Sequence, residues 1–295
     1  MKPISSLVEQ LQRIEEFLAA RVLGQASAIS DIGSLTCAWL AGVIERAPRL
    51  LLLGPTGVGK TASAEAVSEA ISGKGPERFD MSEFCEPEAT RWWLGDRSGD
   101  TGRLAPLLQR RSRTVVLLDE IEKAHSTVID LLLPMLEPGH LTLAGGQRLD
   151  LREVMILCTS NVASGALVDV HAITKSAQAE HVLAQARREL RPELINRFDA
   201  AVVFHPLDVN YQENILQLHL QAYLEWLVTR GFKLRSSPSV EGLLLLRGFD
   251  RQYGARPLRR VMRRMVGDAI VEDLKQGGTG SGNLVVSKDR LVIQK

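Results

Sequence analysis

The sequence predicts an α/β fold: a parallel sheet sandwiched by helices, followed by a smaller, mainly helical domain that ends in a short β-hairpin. Three observations predict it. Short apolar runs alternate with helical stretches between Arg49 and Phe204, the pattern of a parallel sheet covered on both faces. A glycine-rich loop, GPTGVGKT (Gly54–Thr61), sits where one apolar run gives way to a helical one. After Pro206 the alternation stops and helical periodicity takes over. The boundary is therefore placed near residue 206, giving a large domain over 1–206 and a small one over 207–295.

The N-terminal stretch Ile4–Ala20 carries Leu7, Leu11, Ile14 and Leu18 at helical spacing, a packing face within the module more than a docking stripe. A second helix is expected over about Ala28–Ile44, after the break at Gly24. Arg49–Leu53 is an apolar strand, and Lys60 to about Ile71 the helix behind the glycine-rich loop. Phe79–Met81 reads as a short strand, Leu104–Gln109 as part of a helix, and Thr114–Glu120 as a fully buried strand. Ser126–Leu136 reads as a helix, and Leu141–Leu149 as a hairpin with a Gly145-Gly146 tip. Val154–Asn161 is another buried strand, and Ala201–Phe204 closes the series. Beyond Pro206, helices are expected over Asn210–Arg230, Val240–Arg247 and Pro257–Gln276. The run Gly277–Gly282 then leads into strands Leu284–Val286 and Leu291–Ile293.

Composition narrows the function classes. With 45% hydrophobic and 24% charged residues over 295 positions, the chain has a globular composition and is neither disordered nor collagen-like. Lysine plus arginine is 36 against 35 acidic residues, so no global basic excess draws nucleic acid or an acidic membrane surface. The longest uncharged stretches, Ile32–Ile44 and Val154–Val168, fall short of the roughly 20 apolar residues of a membrane helix. Glu9 precedes any apolar signal core, so no secretory signal is expected. Cys37, Cys85 and Cys158 are too scattered for a disulfide framework or a zinc cluster, and the histidines show no metal-ligand spacing. These features predict a soluble, cytoplasmic protein.

The glycine-rich loop matches G-x-x-x-x-G-K-[ST] and stands between a strand and a helix, the context the motif requires. Gly54, Gly57 and Gly59 let the loop of Gly54, Pro55, Thr56, Gly57, Val58 and Gly59 curl its backbone amides around phosphate oxygens at the positive end of a helix. Proline 55 contributes shape but no amide, because its nitrogen carries no proton. Lys60 reaches the outer phosphates, and the Thr61 hydroxyl is a magnesium ligand. A second signal comes from VVLLDE, four apolar strand residues ending in two carboxylates at the sheet edge where α/β folds bind ligands. Asp119 can hold magnesium through water, and Glu120 can orient and deprotonate an attacking water. ATP with Mg2+ is therefore the expected cofactor.

Seven ordered motifs carry a resemblance. RVLGQ (Arg21–Gln25), LLLLGPTGVGKTASAEAV, FDMSEF (Phe79–Phe84), VVLLDEIEKAH (Val115–His125), CTSN, RPELINRFD (Arg191–Asp199) and YGARPLRR (Tyr253–Arg260) occur in sequence. They resemble the C-terminal ATPase module of the Clp family of AAA+ proteins, nearest to ClpB and ClpA, over almost the whole chain. The resemblance implies a ring, usually of six subunits, with ATP bound between neighbours. It implies that Asn161 is the polar sensor that helps position the attacking water. Arg197 corresponds to the arginine finger supplied to a neighbour's ATP, and Arg256 to the small-domain sensor of the same subunit. Val22 and Leu23 correspond to apolar residues around the adenine.

Departures from the family bear on what such a module does. The family's threading proteins carry an aromatic-hydrophobic-glycine pore loop. In one alignment Trp92–Gly95 replaces it, with Trp93 as the gripping aromatic. In the other, the loop has shrunk to Asp96–Asp100; this alignment preserves the spacing from DMSEF and is favoured. Between Asn161 and Arg191 no apolar-glycine-apolar tripeptide of the kind that docks a ClpP-type peptidase is found. A first ATPase module, a coiled-coil middle domain and a zinc-binding domain are likewise not seen. The basic run Arg256, Arg259, Arg260, Arg263 and Arg264 overlaps the sensor motif, which leaves a DNA-associated motor as a minor alternative. The expectation is an ATP-hydrolysing Clp-type protein that remodels or switches a specific protein partner, with a threading unfoldase or disaggregase as the alternative.

Overall fold

A computed structural model describes residues 4–95, 102–103, 113–137, 140–143, 146, 148–162, 175–250 and 254–294. The helix expected over Leu104–Gln109, the loop Asp96–Asp100, Gly145 and Tyr253 lie outside the described residues, as does 163–174 of the stretch expected to lack a peptidase-docking tripeptide. The chain divides into two compact units, one of residues 1–55 with 59–205, the other of Thr56–Val58 with 206–295.

The first unit opens with helices α1 (Ile4–Arg21) and α2 (Ala26–Leu40). Its described strands β1 (Arg49–Leu53), β2 (Glu77–Asp80), β3 (Thr114–Asp119), β6 (Val154–Ser160) and β7 (Ala200–Val203) form a parallel sheet in the order β2-β3-β6-β1-β7. Every residue of β1 and β6 is buried, and all of β3 but Thr114. That explains why these strands read as unbroken apolar runs: a central parallel strand has no solvent face on which to alternate. Helix α3 (Lys60–Ser72) follows β1 and stops at Gly73, which takes the left-handed conformation that lets its amide cap Glu69. A short 3-10 turn, Met81–Phe84, and helix α4 (Ala89–Leu94) follow β2. Helix α5 (Ser126–Leu136) and the antiparallel pair β4 (His140–Thr142) and β5 (Arg148–Asp150) lie between β3 and β6. Helices α6 (Lys175–Glu189) and α7 (Pro192–Ile195) precede β7.

Trp93, on α4, is fully buried and meets Phe79 and Phe84 at ring-centroid distances of 5.7 and 5.4 Å. Its neighbour Trp92 is 62% exposed. One helical turn therefore splits the WW pair into a core residue and a surface residue, and Trp93 does not project as a gripping aromatic.

The second unit contains α8 (Val209–Val228), β8 (Leu234–Arg235), α9 (Pro238–Gly248), α10 (Arg256–Lys275), β9 (Gly282–Ser287) and β10 (Arg290–Gln294). The hairpin β9–β10 gains β8 as a third strand, parallel to β9. Leu216, Leu220, Val240, Leu244, Leu258, Val266, Leu284 and Leu291 are buried in this unit. Gly248 allows α9 and α10 to close up, since a Cβ there would lie 2.5 Å from Leu258 Cδ1. Also within this unit, the Ala255 amide donates to the carbonyl of Gly57 at 3.3 Å.

Candidate nucleotide site

Three adjacent strands of the sheet, β3, β6 and β1, end in the residues that carry the chemistry: Glu120 just past β3, Asn161 just past β6 and Gly54 just past β1. Their carboxyl ends line one edge, where α/β sheets place ligands. The phosphate loop is shaped by positive backbone angles: Gly54 (φ 145°), Gly57 (φ 77°) and Gly59 (φ 108°). Gly54 is also under contact, because a Cβ there would sit 2.4 Å from the Phe204 carbonyl oxygen. Pro55, Thr56 and Val58 fill the turn between the glycines. Val22 is buried and its Cγ1 lies 3.1 Å from where a Gly59 Cβ would be, which places it against the loop; Leu23 beside it is half-buried.

Lys60 is the first residue of α3 and is only 6% exposed. Its ammonium donates to the carbonyls of Gly54 (2.5 Å) and Pro55 (2.6 Å) and to Asn161 Oδ1 (3.0 Å). Burial pushes its pKa down from 10.5 to about 8, while the charges of Glu122, Asp119 and Glu120 act the other way. Asn161 passes the connection on, since its Nδ2 donates to Glu120 Oε1 at 3.1 Å. An amide suits this post because a lysine needs an acceptor on one side and a carboxylate needs a donor on the other. The result is a hydrogen-bonded run from Lys60 through Asn161 to Glu120, linking the phosphate clamp to the candidate base. The Asn161 backbone N–H donates to Glu122 Oε1 at 3.0 Å.

The strand ending at Asp119 stops one residue earlier than expected. Glu120 takes a left-handed conformation, φ 60° and ψ 54°, which L-residues rarely adopt. Its amide donates to Thr159 Oγ1 at 2.9 Å, while that hydroxyl donates to Asp119 Oδ1. One buried threonine on β6 thus fixes both carboxylate-bearing residues. Strain of this kind persists where surrounding contacts over-determine it, and here it turns the Glu120 side chain toward Asn161. Lys123 also pairs with Glu120. Asp119 Oδ1 stands 3.5 Å from the Thr61 hydroxyl, and its Oδ2 accepts from Arg78 at 2.5 Å.

The residues fit a magnesium nucleotide. Three glycines with positive φ shape the loop, Gly54 is crowded against the Phe204 carbonyl, and the buried Lys60 ammonium is bonded to the loop's own carbonyls. Thr61 and Asp119 supply the hard oxygen donors that magnesium prefers. Among the described residues no group of three or more histidine, cysteine, aspartate or glutamate side chains is placed to hold a metal ion.

Two further residues of the expected set have other surroundings within their own units. Arg197, in the turn after α7, pairs with Glu137 at the end of α5. Arg256 opens α10 with an exposed side chain, as do Arg259, Arg260, Arg263 and Arg264 along the same helix. Thr159, Arg78, Glu122 and Lys123 were not expected at the site. Each lies inside or beside a recognised motif, but only the register of β2, β3 and β6 shows which of them meets Asp119 or Glu120.

Comparison with known proteins bears on the family and the fold. Residues 46–201 match the family model described as AAA domain (Cdc48 subfamily), and residues 207–286 match that of the C-terminal, D2-small domain of ClpB protein. The chaperone protein ClpB of Corynebacterium efficiens is 35% identical over 295 residues, which cover 97% of this chain and 33% of the relative. Chaperone protein ClpB of Mycobacterium tuberculosis is 35% identical, over 94% of this chain and 32% of its own. The chloroplastic chaperone protein ClpD2 of Oryza sativa subsp. japonica is 34% identical, over 92% and 32%. The closed-state cryo-EM reconstruction of Hsp104 with ATPγS and FITC-casein superposes with a TM-score of 0.87 at 25% identity, covering 98% of this chain and 52% of that one. The chain thus spans about a third of the length of the curated relatives it matches.

Proposed function

The chain belongs to the Clp family of AAA+ ATPases, and on that premise we propose that it hydrolyses ATP to remodel or switch a specific protein partner without threading it through a pore. The loop Gly54–Thr61 would hold the phosphates, with Val22 and Leu23 beside the adenine. Thr61 and Asp119 would hold magnesium, which when bound neutralises phosphate charge. Glu120 is the residue that takes the proton of the attacking water, and Asn161 orients it. Arg197 would act on the ATP of a neighbouring copy, and Arg256 on that of its own chain. This makes a homo-oligomer, a six-membered ring with ATP bound, the working form. A cytoplasmic setting, no ClpP-type peptidase and no nucleic acid belong to the same reading; among the described residues no helix is long and apolar enough to cross a membrane.

The observation that carries the preference for switching is the burial of Trp93. A residue that grips an extended chain at every cycle must face that chain, and an indole packed between Phe79 and Phe84 does not. The test is ATP-dependent unfolding of a tagged fluorescent protein. Wild type is expected to hydrolyse ATP and leave the test protein folded. Unfolding by wild type, lost in a stably folded Trp93→Ala protein, would reverse the reading.

A second reading, a threading disaggregase, is favoured by the similarity to proteins named ClpB and to an Hsp104 reconstruction that includes casein. The exposed Trp92 is the residue it would use. Unfolding that survives Trp93→Ala and is abolished by Trp92→Ala would support it.

A further inference from the structure

Asp199 closes the motif RPELINRFD, and nothing in the chemistry described so far uses it. Its carboxylate is nonetheless among the most heavily engaged in the first unit. Arg46 grips it with both terminal nitrogens, Nη1 to Oδ2 at 3.0 Å and Nη2 to Oδ1 at 2.7 Å. The Arg49 amide donates to Oδ2 at 2.7 Å, and the Asp199 amide returns a bond to the Arg49 carbonyl at 2.8 Å. Both partners flank the start of β1. The Arg49 side chain lies fully buried beneath that strand, donating to the carbonyls of Ala47 and Leu151. From this point β7 runs in register with β1, Leu50 opposite Ala200 through Leu53 opposite Val203, up to the crowded contact of Phe204 with Gly54. The opposite end of the segment is pinned too, because Arg191 pairs with Asp130 on α5 at 2.5 Å. Leu194 between them is fully buried.

Arg197 therefore sits on a short span anchored at both ends, two residues from a carboxylate bonded to the strand that becomes the phosphate loop. Two residues of chain reach at most about 7 Å, so wherever Asp199 is held, the Arg197 backbone is held nearby. We propose that Asp199, with Arg46, is a positioning residue: the clamp fixes the segment that presents Arg197 to a neighbouring copy. This rests on the trans role of Arg197 proposed above. A charge that must meet a developing charge on another subunit tolerates little error, since a displacement of about 1 Å can cost a hundredfold in rate. A bidentate arginine–carboxylate pair supplies the directional bond that such placement needs.

The test uses Asp199→Asn and Arg46→Ala. The second removes only the bidentate pair and keeps the Asp199 bond to the Arg49 amide, so it remains informative if the first fails to fold. Both are expected to bind ATP as wild type does and to lose turnover by about tenfold or more. The decisive arm mixes each with Lys60→Ala, which lacks the phosphate clamp and keeps a sound Arg197. In assemblies verified to contain both chains, turnover is expected to recover, since the damage lies only in what each variant offers its neighbour. A defect confined to a chain's own site would not recover. The mixture of Arg197→Ala with Lys60→Ala is the control. If the control recovers and the Asp199→Asn and Arg46→Ala mixtures do not, the positioning role is wrong and the trans role of Arg197 stands. Unchanged turnover in both variants alone overturns it as well. If the control itself fails, the trans reading falls and this inference with it.

Discussion

Lys60 is a cation held almost out of water, and its energetics are the most informative of any residue at the site. Its charge-assisted bonds would pass from two carbonyls to phosphate oxygens, with no other buried cation in reach to replace it among the described contacts. Lys60→Ala is expected to weaken ATP binding by about 10- to 100-fold, the worth of a hydrogen bond to a charged group; unchanged affinity in a binding titration would contradict the assignment. The same residue sets a pH dependence. Its pKa falls from 10.5 to about 8 on folding, so between those values the unfolded chain binds more protons than the folded one. Stability must then rise with pH across that window, relative to a chain without the amine. The denaturation midpoint of wild type minus that of Lys60→Met should increase from pH 8 toward pH 10.5; a flat difference would mean that Lys60 stays charged. Glu120→Gln keeps the shape of the base and removes its basicity. It should retain ATP binding and cut hydrolysis by a factor on the order of 10² or more, whereas turnover near wild type would assign the water to another group. Much of this site was legible in the sequence, since Gly54 to Thr61, Asp119 and Glu120 stand in short contiguous patterns. Thr159 was not. Its importance comes from the hydroxyl it presents to two residues some forty positions away, and no local pattern encodes that.

At the scale of elements, the central strands were read correctly because burial on both faces leaves a plain apolar run. Helix α5 matched its expected bounds, Ser126–Leu136, where an amphipathic repeat meets a His125 side chain that caps Thr127. The short or polar elements were harder to see. Helix α4 has six residues and no side-chain cap, too short for periodicity to show. Helix α6 buries Val182 and Ala186 in an otherwise polar run, and β8 has two residues that pair only after a long excursion of chain. The WW pair on α4 gives a direct check. Trp93→Ala should destabilise the first unit by about 3–5 kcal/mol through the cavity it leaves, while Trp92→Ala should stay within about 0.5 kcal/mol. Equal losses in denaturant unfolding would mean that the two indoles are not divided between core and surface.

At the scale of the whole molecule, the proposed reading divides the site between two copies of the chain. The run Lys60–Asn161–Glu120 supplies a clamp, a bridge and a base, yet Arg197 is engaged with Glu137 and has no place in that run. In that reading Arg197 of a second copy meets the charge that develops on the phosphates. Turnover must then depend on assembly. The most direct measurement is ATP hydrolysis per chain across a dilution series, with molar mass followed by light scattering in the same samples. Chains that scatter as monomers should be nearly inactive, and activity should rise in step with the assembled fraction. Full turnover by monomeric chains would contradict the shared site.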